Sequence, residues 1–131
     1  MLTSEEMKAA MRRYVDLLNA GDLEGVLALF ADDATVEDPV GSNVQRGKDE
    51  IRAFYTQAIA SSARLRITAP QRGSAGNAAA MALDVEVTMP GGSTMLIGVI
   101  ETMHFNDAGK VVAMQAFWGP EDMAMVMAAA T

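Results

Sequence analysis

Apolar residues recur near the start of the chain at Met7, Met11, Tyr14 and Leu18, the three-and-four spacing that lays one stripe along an α-helix. Thr3, followed three residues later by Glu6, matches a capping box at the start of that run, and Gly21 stops it. Tyr14 therefore sits on the buried stripe of a long first helix. Asp22 is placed to cap a second, shorter helix with the apolar face Leu23, Val26, Leu27 and Phe30, ended by Asp32-Asp33. The stretch Ala34 to Ser42, ATVEDPVGS, follows as a short strand. After a loop from Gly41 to Gly47, the positions Ile51, Phe54, Tyr55, Ala58 and Ile59 predict a third helix over Asp49 to Ile59. From Ala63 onward the period changes to two, with strands at Leu65 to Thr68, Ala78 to Met89, Ser93 to Phe105 and Val111 to Trp118. Pro90-Gly91-Gly92 and Asn106-Asp107-Ala108-Gly109 supply tight turns between the later strands. Pro120 to Ala130 stays open between one more short helix and a mobile tail.

Helices first and an antiparallel meander afterwards predict an α+β fold rather than alternating βαβ units. A curved sheet wrapped around the long helix leaves a pocket between them. No internal repeat, low-complexity tract or linker interrupts the 131 residues, so a single domain over residues 1–131 is expected.

The alternation also sorts polar groups by face. In an extended ATVEDPVGS, Val36 and Asp38 share one side and Thr35 and Glu37 the other, so Asp38 follows the apolar side. Pro39 biases Asp38 toward an extended backbone. That mounting suits a catalytic carboxylate, and it equally suits a plain strand-ending Asp-Pro turn. In Ser93 to Phe105 one face carries Met95, Ile97, Val99, Glu101, Met103 and Phe105, with Glu101 its only charged member. If that row is buried, the Glu101 carboxyl is disfavoured as an anion and becomes a proton donor near neutral pH; if the strand is an edge, Glu101 reaches solvent. His104, on the opposite row with Ile100 and Thr102, reads as a structural or surface histidine.

Composition narrows the chemistry. Apolar residues make up 50% and charged residues 21%, and 17 acidic against 10 scattered basic side chains give a net charge of −7, which argues against a nucleic-acid partner. The lack of cysteine excludes disulfides, thiolate metal sites and cysteine nucleophiles, and one histidine excludes a histidine metal cluster. No apolar run is long enough for a membrane helix, and MLTSEEMK is too polar for a signal peptide, so the expectation is a cytoplasmic protein without membrane contact. The 11 methionines suit either a cavity for a bulky apolar guest or a core with irregular gaps.

Tyr14, Asp38 and Glu101 are three polar groups that periodicity assigns to apolar faces, and Tyr55 on the third helix is the other tyrosine available to partner a buried phenol. A carboxylate base opposite two neutral hydrogen-bond donors suits proton abstraction beside a carbonyl, the donors stabilising an enolate oxygen.

Along RRYVDLLNAGDLEGVLALFADDATVEDPVGS (Arg12 to Ser42), IRAFY (Ile51 to Tyr55) and HFNDAGKVVAMQAFWG (His104 to Gly119) the chain resembles the bacterial Δ5-3-ketosteroid isomerases. These have the cone-shaped nuclear transport factor 2-like fold, with N-terminal helices packed on a curved, largely antiparallel sheet. That family is itself a standard illustration of a carboxylic acid held neutral in an apolar site, so this logic comes with the resemblance. The resemblance implies isomerisation of 3-oxo-Δ5-steroids to their Δ4 isomers. Asp38 would be the base moving a proton from C4 to C6, Tyr14 and Glu101 the donors to the C3 oxygen, and Tyr55 the support of Tyr14. Phe54, Phe117 and Trp118 would line the pocket. Some members carry a further tyrosine where this chain has Phe30, which shortens the supporting network here. The family's second donor is normally an aspartic acid, whereas this chain reads Ile100-Glu101. The extra methylene moves the carboxyl by roughly an ångström, a displacement that can cost on the order of a hundredfold in rate. No cofactor or metal is implied, the partner is an apolar steroid-like small molecule, and a homodimer through the open side of the sheet is expected. The alternatives are a related enzyme acting on another polycyclic ketone, by cyclisation or dehydration, and a non-catalytic binding protein. Asp38 discriminates against the last, because a pure apolar pocket gains little from a carboxylate.

Overall fold

The computed structural model describes residues 1–126. In chain order these form α1 (Ser4–Asn19), α2 (Leu23–Ala28), β1 (Phe30–Glu37), β2 (Gln45–Arg46), α3 (Gly47–Ala60), β3 (Arg64–Ile67), β4 (Ala78–Thr88), β5 (Thr94–Phe105), β6 (Val111–Phe117), a 3₁₀ turn (Pro120–Asp122) and β7 (Met123–Val126). The fold is α+β: the helices pack on one face of a seven-stranded, mostly antiparallel open sheet of order β2-β1-β6-β5-β4-β3, with β7 also on β5.

The capping box forms at the start of α1. The Glu6 amide donates to Thr3 Oγ1 at 3.1 Å and the Thr3 amide to Glu6 Oε1 at 3.0 Å, an arrangement worth about 1 kcal/mol of helix stability. Met7, Met11, Tyr14, Val15 and Leu18 form its buried stripe, and Gly21 ends the run at φ +71°, where a side chain would be strained. On α3, Ile51 and Tyr55 are buried.

Three expectations need correction. Phe30 does not belong to α2, which stops at Ala28; Phe30 opens β1 instead, because the Val111 amide donates to the Leu29 carbonyl and draws the chain beside β6. Asp32 and Asp33 are consequently exposed strand residues, at a register irregularity, not a helix stop. The sheet is not a pure meander, since β1 runs parallel to β6, with Glu37 opposite Gln115. The open tail segment resolves as a 3₁₀ turn and a strand: β7 pairs with Thr94 to Ile97 of β5, on the edge where β6 has already covered Ile100 to Phe105. Residues 127–131 of that segment lie outside the described residues.

The core lies between α1, α3 and the inner face of the sheet. Met7, Met11, Met81, Met103 and Met114 are all fully buried in it, each burial stabilising the fold by about 1.5–3 kcal/mol. Methionine serves here as core filler. Among the described residues, no helix is long and apolar enough to cross a membrane.

Candidate active site

Four elements aim polar side chains at one place. The middle of α1 carries Tyr14 and the middle of α3 carries Tyr55, 2% and 1% exposed. Their hydroxyls are hydrogen-bonded at 2.8 Å, and the rings meet edge to face at 5.9 Å between centroids. Phe30 packs against both rings, at 6.5 and 5.7 Å, and offers no hydroxyl, so the hydroxyl chain ends at Tyr55. Burial, then the Glu101 charge, holds both phenols well above the usual tyrosine range.

Asp38 stands just past the end of β1, on the side of Ala34 and Val36, and is joined to Pro39 by a cis peptide. Its Oδ1 accepts a hydrogen bond from Trp118 Nε1 at 2.7 Å. Partial burial raises its pKa, and the Trp118 hydrogen bond opposes the rise. Glu37, its neighbour, faces the other way.

Glu101 lies mid-strand in β5, between Met81 of β4 and Ala116 of β6. It is 3% exposed, so the strand is interior and not an edge here. Its pKa is pushed up to about 8, first by burial and then by the Asp38 charge, while the Tyr14 hydroxyl beside it pulls the other way. Its Oε1 is buried with no hydrogen-bond partner among the described residues. An orphaned buried carboxyl oxygen is costly unless a ligand or a proton meets it.

Tyr14, Asp38, Phe54, Tyr55, Glu101 and Trp118 all line one cavity of about 140 Å³. Its remaining wall is apolar and includes Leu18, Val85, Ile97 and Val99, and among the described residues no methionine. The pattern of β4 and β5 puts Val85, Ile97 and Val99 on the inner side. Only the fold reveals that this part of the inner side is cavity wall and not core.

Phe117 departs from expectation. Successive strand residues face opposite ways, so β6 buries Ala116 and turns Phe117, 44% exposed, to the outer face beside Ile100. There it lines an open depression of about 660 Å³ that includes Val40, Asp84, Glu121 and Asp122 and none of Tyr14, Asp38 or Glu101. His104 is likewise exposed, on the row opposite Glu101. Nothing local marks the Trp118–Asp38 hydrogen bond, whose partners are 80 residues apart. Among the described residues, no group of three or more His, Cys, Asp or Glu side chains is placed to hold a metal ion.

This arrangement offers an apolar slot that brings together the Trp118-bound carboxyl of Asp38, the buried carboxyl of Glu101, whose burial favours its neutral form, and the Tyr14 phenol. A carboxyl opposite two hydrogen-bond donors is suited to moving a proton next to a polarised oxygen.

The family model described as a SnoaL-like domain matches residues 11–114. A steroid Delta-isomerase of Nocardioides simplex is 36% identical over 126 residues, covering 95% of this chain and 99% of that protein. The epoxide hydrolase LasB of Streptomyces lasalocidi is 31% identical over 121 residues, covering 88% of this chain and 42% of that protein. Among solved structures, the epoxide hydrolase/cyclase-like enzyme SalBIII, of pyran ring formation in the polyether salinomycin, superposes with a TM-score of 0.89 at 26% identity, over 97% of this chain and 100% of that one.

Proposed function

The chain belongs to the SnoaL-like domain family and is a homologue of steroid Delta-isomerases, and from that premise we propose that it converts 3-oxo-Δ5-steroids to 3-oxo-Δ4-steroids. The observation that carries this reading is the pairing, in one apolar cavity, of the Trp118-bound Asp38 carboxylate with the buried, orphaned carboxyl of Glu101 beside Tyr14.

In this mechanism the Asp38 carboxylate takes a proton from C4. The C4–H electron pair forms the C3–C4 double bond and the carbonyl π electrons move onto the C3 oxygen, giving a dienolate. Tyr14 and protonated Glu101 donate hydrogen bonds to that oxygen. When its charge returns to remake the carbonyl, the C4–C5 double bond forms, the C5–C6 π pair takes the proton from Asp38 at C6, and the carboxylate is restored. Either hydroxyl can donate in the 2.8 Å Tyr14–Tyr55 bond; when Tyr55 donates, the Tyr14 proton is left for the ligand. The cavity of about 140 Å³ is smaller than the roughly 300–1,000 Å³ of sites that enclose a whole drug-sized ligand. It therefore takes the reacting end of the steroid while the remaining rings extend outward past Phe54 and Trp118.

Epoxide-opening relatives have the same fold, but the steroid isomerase match has the higher identity and spans nearly all of both proteins, whereas LasB is matched over 42% of its length. The same reading makes the protein a cytoplasmic homodimer that buries the outer sheet face, where Ile100 and Phe117 are 50% and 44% exposed. The test is the ultraviolet absorbance of the conjugated enone formed from 5-androstene-3,17-dione. It should rise with the native chain and at least about a hundredfold more slowly with Asp38→Asn. No rise with a folded, steroid-binding protein would overturn the isomerase reading.

A further inference from the structure

Glu37 has no part in the cavity, yet its carboxylate joins the two segments that meet beneath Asp38. Oε1 accepts from Gln115 Nε2 at 3.0 Å, on the neighbouring strand β6, and Oε2 accepts from the Gly41 amide at 3.1 Å, on the far side of the turn. Glu37 and Gln115 are register partners of the parallel β1–β6 pair, so this bond closes the sheet at the last paired position of β1. Beyond it the chain leaves the sheet at Asp38-Pro39. The Val40 amide returns to the Ala116 carbonyl at 2.8 Å, and Ser42 closes the turn through its amide and hydroxyl to the Pro39 carbonyl at 3.0 and 2.7 Å. Gly41, at φ +100°, lets the chain turn so that its amide meets Glu37.

Within the cavity, among the described residues, the hydrogen bond from Trp118 to Oδ1 is what holds the Asp38 carboxyl. One such bond leaves the carboxyl free to pivot about its own side-chain torsions, so its placement depends on how firmly its backbone is fixed. We propose that Glu37 is a positioning residue for Asp38: its two oxygens tie the Asp38 turn to β6 and hold the base against both Trp118 and the cavity. Gln115 and then the Gly41 amide hold the Glu37 carboxyl below the usual glutamate range, consistent with an ionised clamp over the neutral pH range. Two charge-assisted hydrogen bonds to backbone and amide donors are the stronger kind. The inference rests on the isomerase reading for its kinetic consequence and on geometry alone for its structural one.

The test uses that separation. The chain has one tryptophan, so a nitrogen-15 spectrum contains a single indole N–H signal, and it reports the bond to Asp38 directly. Asp38→Ala sets the position of the unbonded indole. In Glu37→Leu the signal is expected to move most of the way to that position, and in Glu37→Gln, which keeps one acceptor, part of the way. Kinetically, Glu37→Leu should lower kcat by roughly tenfold to a hundredfold, the cost expected of a displaced catalytic group. KM and affinity for the Δ4 ketone should stay within about twofold. Label transferred from C4 to C6 of a C4-deuterated substrate should also fall, because a loosened acid exchanges its proton with water. Should Glu37→Leu fail to fold, the intermediate indole position of Glu37→Gln carries the test alone. An indole signal unchanged in folded Glu37 variants would overturn the inference, as would a raised KM with unchanged kcat. A native chain with no turnover would overturn the isomerase reading instead, and the indole result would still decide the role of Glu37.

Discussion

The end of β1 and the middle of β5 each deliver a carboxyl group to the same cavity, and they treat it differently. Asp38 sits where the strand has ended, partly buried, with an indole N–H aimed at one oxygen. Glu101 sits where β5 is paired on both edges, 3% exposed, with one oxygen unpartnered among the described residues. Both pKa values rise from burial, but the Asp38 anion keeps a donor while Glu101 is pushed to about 8, partly by Asp38 itself. On the proposed reading, position along a strand separates the base from the neutral donor, a division of labour for which ketosteroid isomerases are a standard illustration.

The contrast can be broken most severely at the base. Asp38→Asn should lower kcat on a 3-oxo-Δ5-steroid by a factor on the order of a hundred to ten thousand while ligand binding persists, as steady-state kinetics with a binding titration would measure. Tyr14→Phe removes the donor to the ligand oxygen and the hydroxyl that partners Tyr55, and should lower kcat by roughly a hundredfold to a thousandfold with little change in KM.

Glu101 should also report on itself through stability. The folded protein holds the Glu101 proton to about pH 8, against an ordinary value of 4.5, so its contribution is fully present below about 4.5 and is lost as pH rises through about 8. Across that window the decline is at most roughly 1.4 kcal/mol per pH unit for this one group. Denaturant unfolding of native protein and Glu101→Gln from pH 5 to 9 should show the slope reduced in the variant. The smallest effect is expected at Trp118→Phe. Losing the indole N–H removes the interaction that lowers the Asp38 pKa, so the acid limb of kcat/KM should move to higher pH and activity below it should fall severalfold.

The two regions also differ in how far the sequence revealed them. Glu101 was legible because a single charge on a six-residue apolar row needs only period two and an interior strand. The α1 stripe was legible for the same reason, since Met7, Met11, Tyr14 and Leu18 are local signals. The surroundings of Asp38 were not, because β1 borrows its structure from β6. Pairing with β6 pulls Phe30 out of the apparent helix and tolerates Asp32-Asp33 inside a strand, and no local pattern marks a parallel partner 80 residues away. Phe117 turns outward beside Ile100 while Trp118, just past the end of β6, lines the cavity, a distinction the resemblance did not make. The strand β7 was hidden because Met123 to Val126 is short and has no alternation of its own.

The most direct test of the central claim is the pH dependence of kcat/KM for 5-androstene-3,17-dione in the native chain and in Glu101→Gln. The native rate should fall as pH rises through about 8, when Glu101 loses its proton. The variant, whose amide cannot ionise, should start lower and show no such fall. Matching profiles, with native activity undiminished well above pH 8 or both declining together, would contradict the assignment of Glu101 as the neutral donor paired with the Asp38 base.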